Sequence, residues 1–82
     1  MELQYRKHAK QTKVTVKGGI ALEADWQKLE ETLPGPADLG IRELEICFQN
    51  SRSLDPGQLV RLEQMVKRKC RIERSRLLIS QR

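Results

Sequence analysis

A chain of 82 residues holds one domain, and a domain of this size buries only about 60% of the surface that its unfolded chain exposes, which argues against a deep catalytic cleft. Apolar residues make up 38% of the sequence and aromatic ones 4%, but the apolar residues recur periodically, so the composition points to a folded domain and not to disorder. The net charge of +5 directs attention to acidic partners.

The charge is unevenly distributed. Near the start, Arg6, Lys7, Lys10, Lys13 and Lys17 face only Glu2. Near the end, Arg61, Lys67, Arg68, Lys69, Arg71, Arg74, Arg76 and Arg82 face only Glu63 and Glu73. Between them the acids Glu23, Asp25, Glu30, Glu31, Asp38, Glu43, Glu45 and Asp55 outnumber Lys28, Arg42 and Arg52.

The first element in chain order is ambiguous. Leu3 with Tyr5 and Val14 with Val16 form two short alternations across a basic stretch. Residues 1–12 read either as a basic arm or as a first strand ahead of a compact domain over 13–82. "TKVTVKG" is the firm strand, because branched side chains suit a pleated surface, and Gly18-Gly19 ends it. A helix follows through "DWQKLEETL", starting near Ala24 or Asp25, with Trp26, Leu29 and Leu33 on one face and Pro34-Gly35-Pro36 as its stop.

"IRELEICF" alternates again, Leu44, Ile46 and Phe48 on one side and Glu43, Glu45 and Cys47 on the other, which predicts a strand with one covered face and one partly wet face. "SLDPGQL" has helix-start chemistry: Asp55 as N-cap, Pro56 at N1, Gln58 at N3 and Leu54 stapled to Leu59. The helix it opens turns Leu59, Leu62, Met65 and Val66 inward and crowds cations into its last turn. "SRLLIS" reads as a last strand, with Leu77 and Ile79 opposite Leu78. The order β(β)αβαβ predicts a small α/β two-layer sandwich, a mixed sheet with two helices on one face.

The residues with reactive side chains have simpler uses. His8 has no ligand or acid at useful spacing and reads as a solvated residue. Ser51 and Ser53 lack a nearby base and read as turn residues. Cys47 and Cys70 form no CxxC pair and read as buried packing residues, and Gly18-Gly19 has no phosphate-loop context. No run approaches a signal or membrane segment. These readings predict a cytoplasmic, non-enzymatic protein without catalytic residue, cofactor or metal.

The runs "DWQKLEETL", "IRELEICFQNSRSLDPGQLVRLEQMVK" and "RLLIS", spanning roughly residues 13 to 80, resemble in order of elements the small α/β domains of the STAS type and, more closely, the N-terminal domain of the septum-site inhibitor MinC. The STAS resemblance implies a phosphorylatable serine after the aspartate that opens the helix. Here Pro56 follows Asp55, so the hydroxyl is absent and the turn reads as structural. The MinC-like resemblance implies a regulatory module that binds the division protein FtsZ. What carries over is a binding module.

The expected function is therefore a small adaptor or regulatory domain that docks an acidic protein surface. The 100° helical step puts Arg61 and Arg68 on one face of the second helix, away from its apolar stripe, with Lys67, Lys69, Arg71, Arg74 and Arg76 around its C-terminal end, and these seven are the expected partner-binding residues. A basic domain that binds RNA or another nucleic acid is the alternative, since the same cations suit phosphates.

Overall fold

The computed structural model describes residues 1–35, 37, 43–49 and 54–81, the Arg74 side chain excepted. Ser51 and Ser53, and with them Pro36, Asp38, Arg42, Arg52, Arg82 and the side chain of Arg74, lie outside the described residues.

Strand β1 (Glu2–His8) folds back on β2 (Gln11–Lys17) through the two residues 9 and 10, so the beginning of the chain is a paired strand and not an arm. Gly18, at φ +83°, takes the chain off β2 in a conformation that only glycine adopts freely. Helix α1 (Glu23–Thr32) leads to β3 (Glu43–Gln49), helix α2 (Pro56–Cys70) follows, and a short 3-10 turn (Arg74–Arg76) delivers the chain to β4 (Leu77–Gln81). The sheet order is β1-β2-β3-β4, antiparallel between β1 and β2 and parallel from β2 to β4. This is the mixed four-stranded sheet with two helices that the element order predicts.

Register determines the faces. Val14 pairs with Ile46 and Ile46 with Ile79, while Val16 pairs with Phe48, so the apolar residues of neighbouring strands share one side. Trp26, Leu29 and Leu33 from α1 and Leu62, Met65, Val66 and Cys70 from α2 join them in a single cluster. Both helices therefore cover the same face, at roughly 25 cal/mol for each Å² of apolar surface removed from water.

Two expectations about this core need correction. Leu59, expected inside, is 37% exposed. It sits in the first turn of α2 beside β4, and among the described residues no fifth strand stands beyond β4 to cover it. The face of the sheet opposite the helices is also drier than alternation predicts: Thr15, Glu45 and Cys47 are buried there, so β3 is enclosed on both sides. The middle strand has a neighbour on each flank, and a short Cys47 side chain between Glu45 and Gln49 is overshadowed by longer ones.

Helix ends follow local chemistry. The Asp55 carboxylate accepts the Gln58 N–H at 2.8 Å, and the Asp55 N–H donates to Gln58 Oε1 at 3.2 Å, the reciprocal pair expected at this start. Leu22, at the α1 N-cap, has no acceptor to offer. Asp25 compensates from the third helical position by accepting the N–H groups of Ala21 and Leu22 at 3.0 and 3.1 Å. Helix α2 ends on Arg71 in the left-handed region (φ 51°), where glycine is the usual occupant.

Phe48 is fully buried at the centre of the cluster. Phe48→Ala is expected to lower the unfolding free energy by about 3–5 kcal/mol, measured by urea titration.

Candidate functional site

The two helices are parallel because each returns the chain from one parallel strand to the start of the next. Parallel helices place residues of equal spacing side by side. Glu23 and Glu30 on α1 are seven apart, as are Arg61 and Arg68 on α2, and the pairs meet as two rungs about 10 Å apart along the helices. The Arg61 guanidinium donates to both Glu23 oxygens, at 2.8 and 2.6 Å, and lies over the Trp26 ring at 4.5 Å from its centroid. Arg68 donates to both Glu30 oxygens at 3.3 Å.

Arg61 and Arg68 do share a face, as the helical step predicts. From that face both arginines reach across to acids of α1, and Arg61 covers the Trp26 ring, while their side chains stay 47% and 71% exposed. A groove of about 200 Å³ between the helices runs past Trp26, Arg61 and Arg68. The Arg61 hydrogen bonds, helped by its charge, hold the Glu23 carboxyl below its usual 4.5 against the opposing effect of desolvation. The Ala21 and then the Leu22 amides lower Asp25 in the same way.

The remaining cations are placed differently. Lys67 and Arg71 are exposed and Lys69 is half-buried, and none of the three has an ion-pair partner among the described residues. Arg76, half-buried in the turn before β4, is engaged within the chain. Residues 71–76 connect the end of α2 to the start of β4, so these cations gather at that end of the molecule. On the face of the sheet away from the helices, level with Leu78 of β4, Lys13 lies 3.8 Å from Glu45.

Sequence reasoning missed a second feature beside β4. A groove of about 470 Å³ opens between α2 and β4, lined by Leu54, Leu59, Glu63, Leu77, Ile79 and Gln81. The staple pair Leu54 and Leu59 thus contributes its apolar sides to a surface as well as to the helix start. Exposed Val60 on α2 and Leu78 on the other face of β4 extend the apolar surface around it. The sequence signal was the uncharged run "LLISQ" in a basic, charge-rich region.

Candidate chemical groups are less suggestive. Both cysteines are free and buried, and burial pushes the Cys70 thiol up to about 11 in spite of the neighbouring Lys69 charge. Among the described residues, no group of His, Cys, Asp and Glu is placed to hold a metal ion, and no helix is long and apolar enough to cross a membrane. Comparison with protein-family models, with curated proteins and with solved structures finds no match for the chain.

Two outcomes are expected from these contacts. Glu23 has a lowered folded-state pKa, so its pairing with Arg61 stabilises the fold above the unfolded value and is lost as pH falls through the lower folded one. In thermal melts, Glu23→Gln should lie below the parent at neutral pH and low salt, and the two should converge in acid below about pH 4.5 and at high salt. Cys70, with its raised pKa and burial, should resist a thiol reagent at pH 8 until denaturant unfolds the chain; rapid labelling of the folded chain at Cys70 would contradict the packing described.

Proposed function

We propose that this chain is a small non-enzymatic interaction module that docks an acidic protein surface through the cations gathered between the end of α2 and the start of β4. The observation that carries this reading is the different treatment of the arginines and lysines of α2. Arg61 and Arg68 have acids of α1 as partners, whereas Lys67, Lys69 and Arg71, at the end of the same helix, have none among the described residues. Repulsion among like charges at one helix end offsets what each gains from the helix dipole, so the cluster adds little to folding and an acidic partner is its simplest use.

Protein is favoured over nucleic acid by the distribution of charge. Phosphate tracking needs a continuous cationic stripe. The stripe that α2 would offer is interrupted where Arg61 and Arg68 are paired with Glu23 and Glu30. A regulatory or adaptor role, in keeping with the STAS-like and MinC-like resemblance and with a cytoplasmic setting, belongs to the same proposal.

The test uses a labelled extended peptide that alternates leucine with glutamate, a scrambled peptide of the same composition, and a single-stranded RNA of similar charge, each titrated at low and moderate salt. The alternating peptide should bind best. Joint replacement K67Q, K69Q and R71Q should weaken it about tenfold, mainly through slower association, with the fold retained and the melting temperature lowered only slightly by the lost helix-dipole interactions. RNA bound more tightly than either peptide, and lost in the same triple variant, would replace this reading with the nucleic-acid one.

A further inference from the structure

The two edges of the sheet are defended very unequally. Strand β1 carries Glu2, Arg6, Lys7 and His8 among its seven residues, and charged side chains on an edge discourage another strand from pairing with it. Strand β4, the opposite edge, has no charged residue from Leu77 to Gln81, in a chain that is 33% charged. Leu78 is 54% exposed on the face away from the helices. On the helix face Leu77 and Ile79 line the 470 Å³ groove together with Leu54 and Leu59.

The charges beside this edge complement a copy of themselves. Glu63 is the charged residue in the groove wall, and it has no ion-pair partner among the described residues. One turn further along α2, on the stripe that Leu59 and Glu63 share, stands Lys67, exposed and likewise unpaired. An acid and a base one turn apart match the same two residues on a helix that runs the opposite way, the acid of each beside the base of the other. A two-fold axis supplies that arrangement, because it presents one and the same patch from both partners.

We infer that β4 pairs antiparallel with β4 of a second copy of this chain, about a two-fold axis at Leu78, so that two four-stranded sheets join into one of eight strands. This register sets Leu78 against its own copy and Leu77 against Ile79 of the other copy, so that the junction is apolar on both faces of the sheet. An axis at Ile79 would set Leu77 against Gln81 and Leu78 against Ser80 instead, with fewer apolar contacts. The helices follow from the strands. Packed helices lie roughly 8–10 Å apart and strands roughly 4.7–4.9 Å, so one helix is about as wide as two strands. A junction at β4 therefore brings the two α2 helices side by side across the merged grooves, in opposite directions, where Leu59 is covered and Glu63 of each copy meets Lys67 of the other. Lys69 and Arg71 take no part in this junction and keep the role proposed above.

The test is sedimentation equilibrium of the purified chain from low to high micromolar concentration, at moderate salt that screens the net charge of +5 on each copy, with amide hydrogen exchange at both ends of the range. Expected are a monomer–dimer equilibrium and slowed exchange across Leu77–Gln81, without a change across Glu2–His8, as the dimer forms. L78K sets two ammonium groups against each other at the axis and should weaken self-association about tenfold or more, while the melting temperature of the dilute chain stays unchanged. E63K alone and K67E alone should each weaken it several-fold, and an equimolar mixture of the two should recover the parent affinity as a heterodimer, since every acid then meets a base. A chain that stays monomeric throughout the range overturns the inference. So does a dimer indifferent to L78K, or one whose protection appears on another element. A mixture of the two charge variants that associates no more tightly than either alone overturns the antiparallel approach of the α2 helices and with it the axis inferred here. The peptide titration described for the proposed function, run on the chain below its dimerisation range, reads that function independently of this result.

Discussion

The parallel pairing of β2, β3 and β4 is the constraint from which the rest of the structure follows. Parallel neighbours cannot be joined by a tight turn, so each connection must travel back along the sheet, and a helix is the economical way to do so with every main-chain group satisfied. The two crossovers put α1 and α2 over one face, side by side and pointing the same way. The apolar cluster between helices and sheet then forms wherever the strands bring Val14, Ile46 and Ile79 into line. Enclosure of β3 on both flanks is a further consequence, and it explains why Glu45 and Cys47 are buried on the side that has no helix.

Parallel helices also decide what the basic residues of α2 can do. A seven-residue spacing repeated on both helices brings Arg61 to Glu23 and Arg68 to Glu30. Arg61 gains a second interaction over the Trp26 ring, which is buried in the core and covered on that side by the guanidinium. These pairs are exposed and individually weak, and salt screens them. Their structural importance lies in register: they favour one alignment of α1 against α2. A face that looks like a docking surface in a helical projection is in this way partly consumed by the fold.

A sheet of four strands covered by two helices ends somewhere, and the two ends have different chemistry. The β1 edge is guarded by ionisable side chains, whereas the β4 edge is apolar and adjoins the groove that a missing neighbour leaves between it and α2. The partial exposure of Leu59 belongs to the same feature. The cations at the end of α2 precede this strand in the chain, whereas the charged residue among those lining the groove is Glu63.

Much of this was determined locally and was legible in the residues. Alternation over Leu44, Ile46 and Phe48 specifies a strand because side chains of an extended chain point to opposite faces, and Asp55 with Pro56 and Gln58 specifies a helix start because they answer its free N–H groups. The element order followed, and with it the fold class, since strands alternating with helices admit few layered arrangements. Tertiary structure alone decided the choice between arm and first strand, because Leu3 and Tyr5 make a weak pattern until β2 lies beside them. It also decided that Leu59 faces a groove, that Cys47 is buried, and that Arg61 and Arg68 belong to α1. Each of these depends on which element stands next to which, and a one-dimensional pattern records which face a residue occupies but not what is packed against that face.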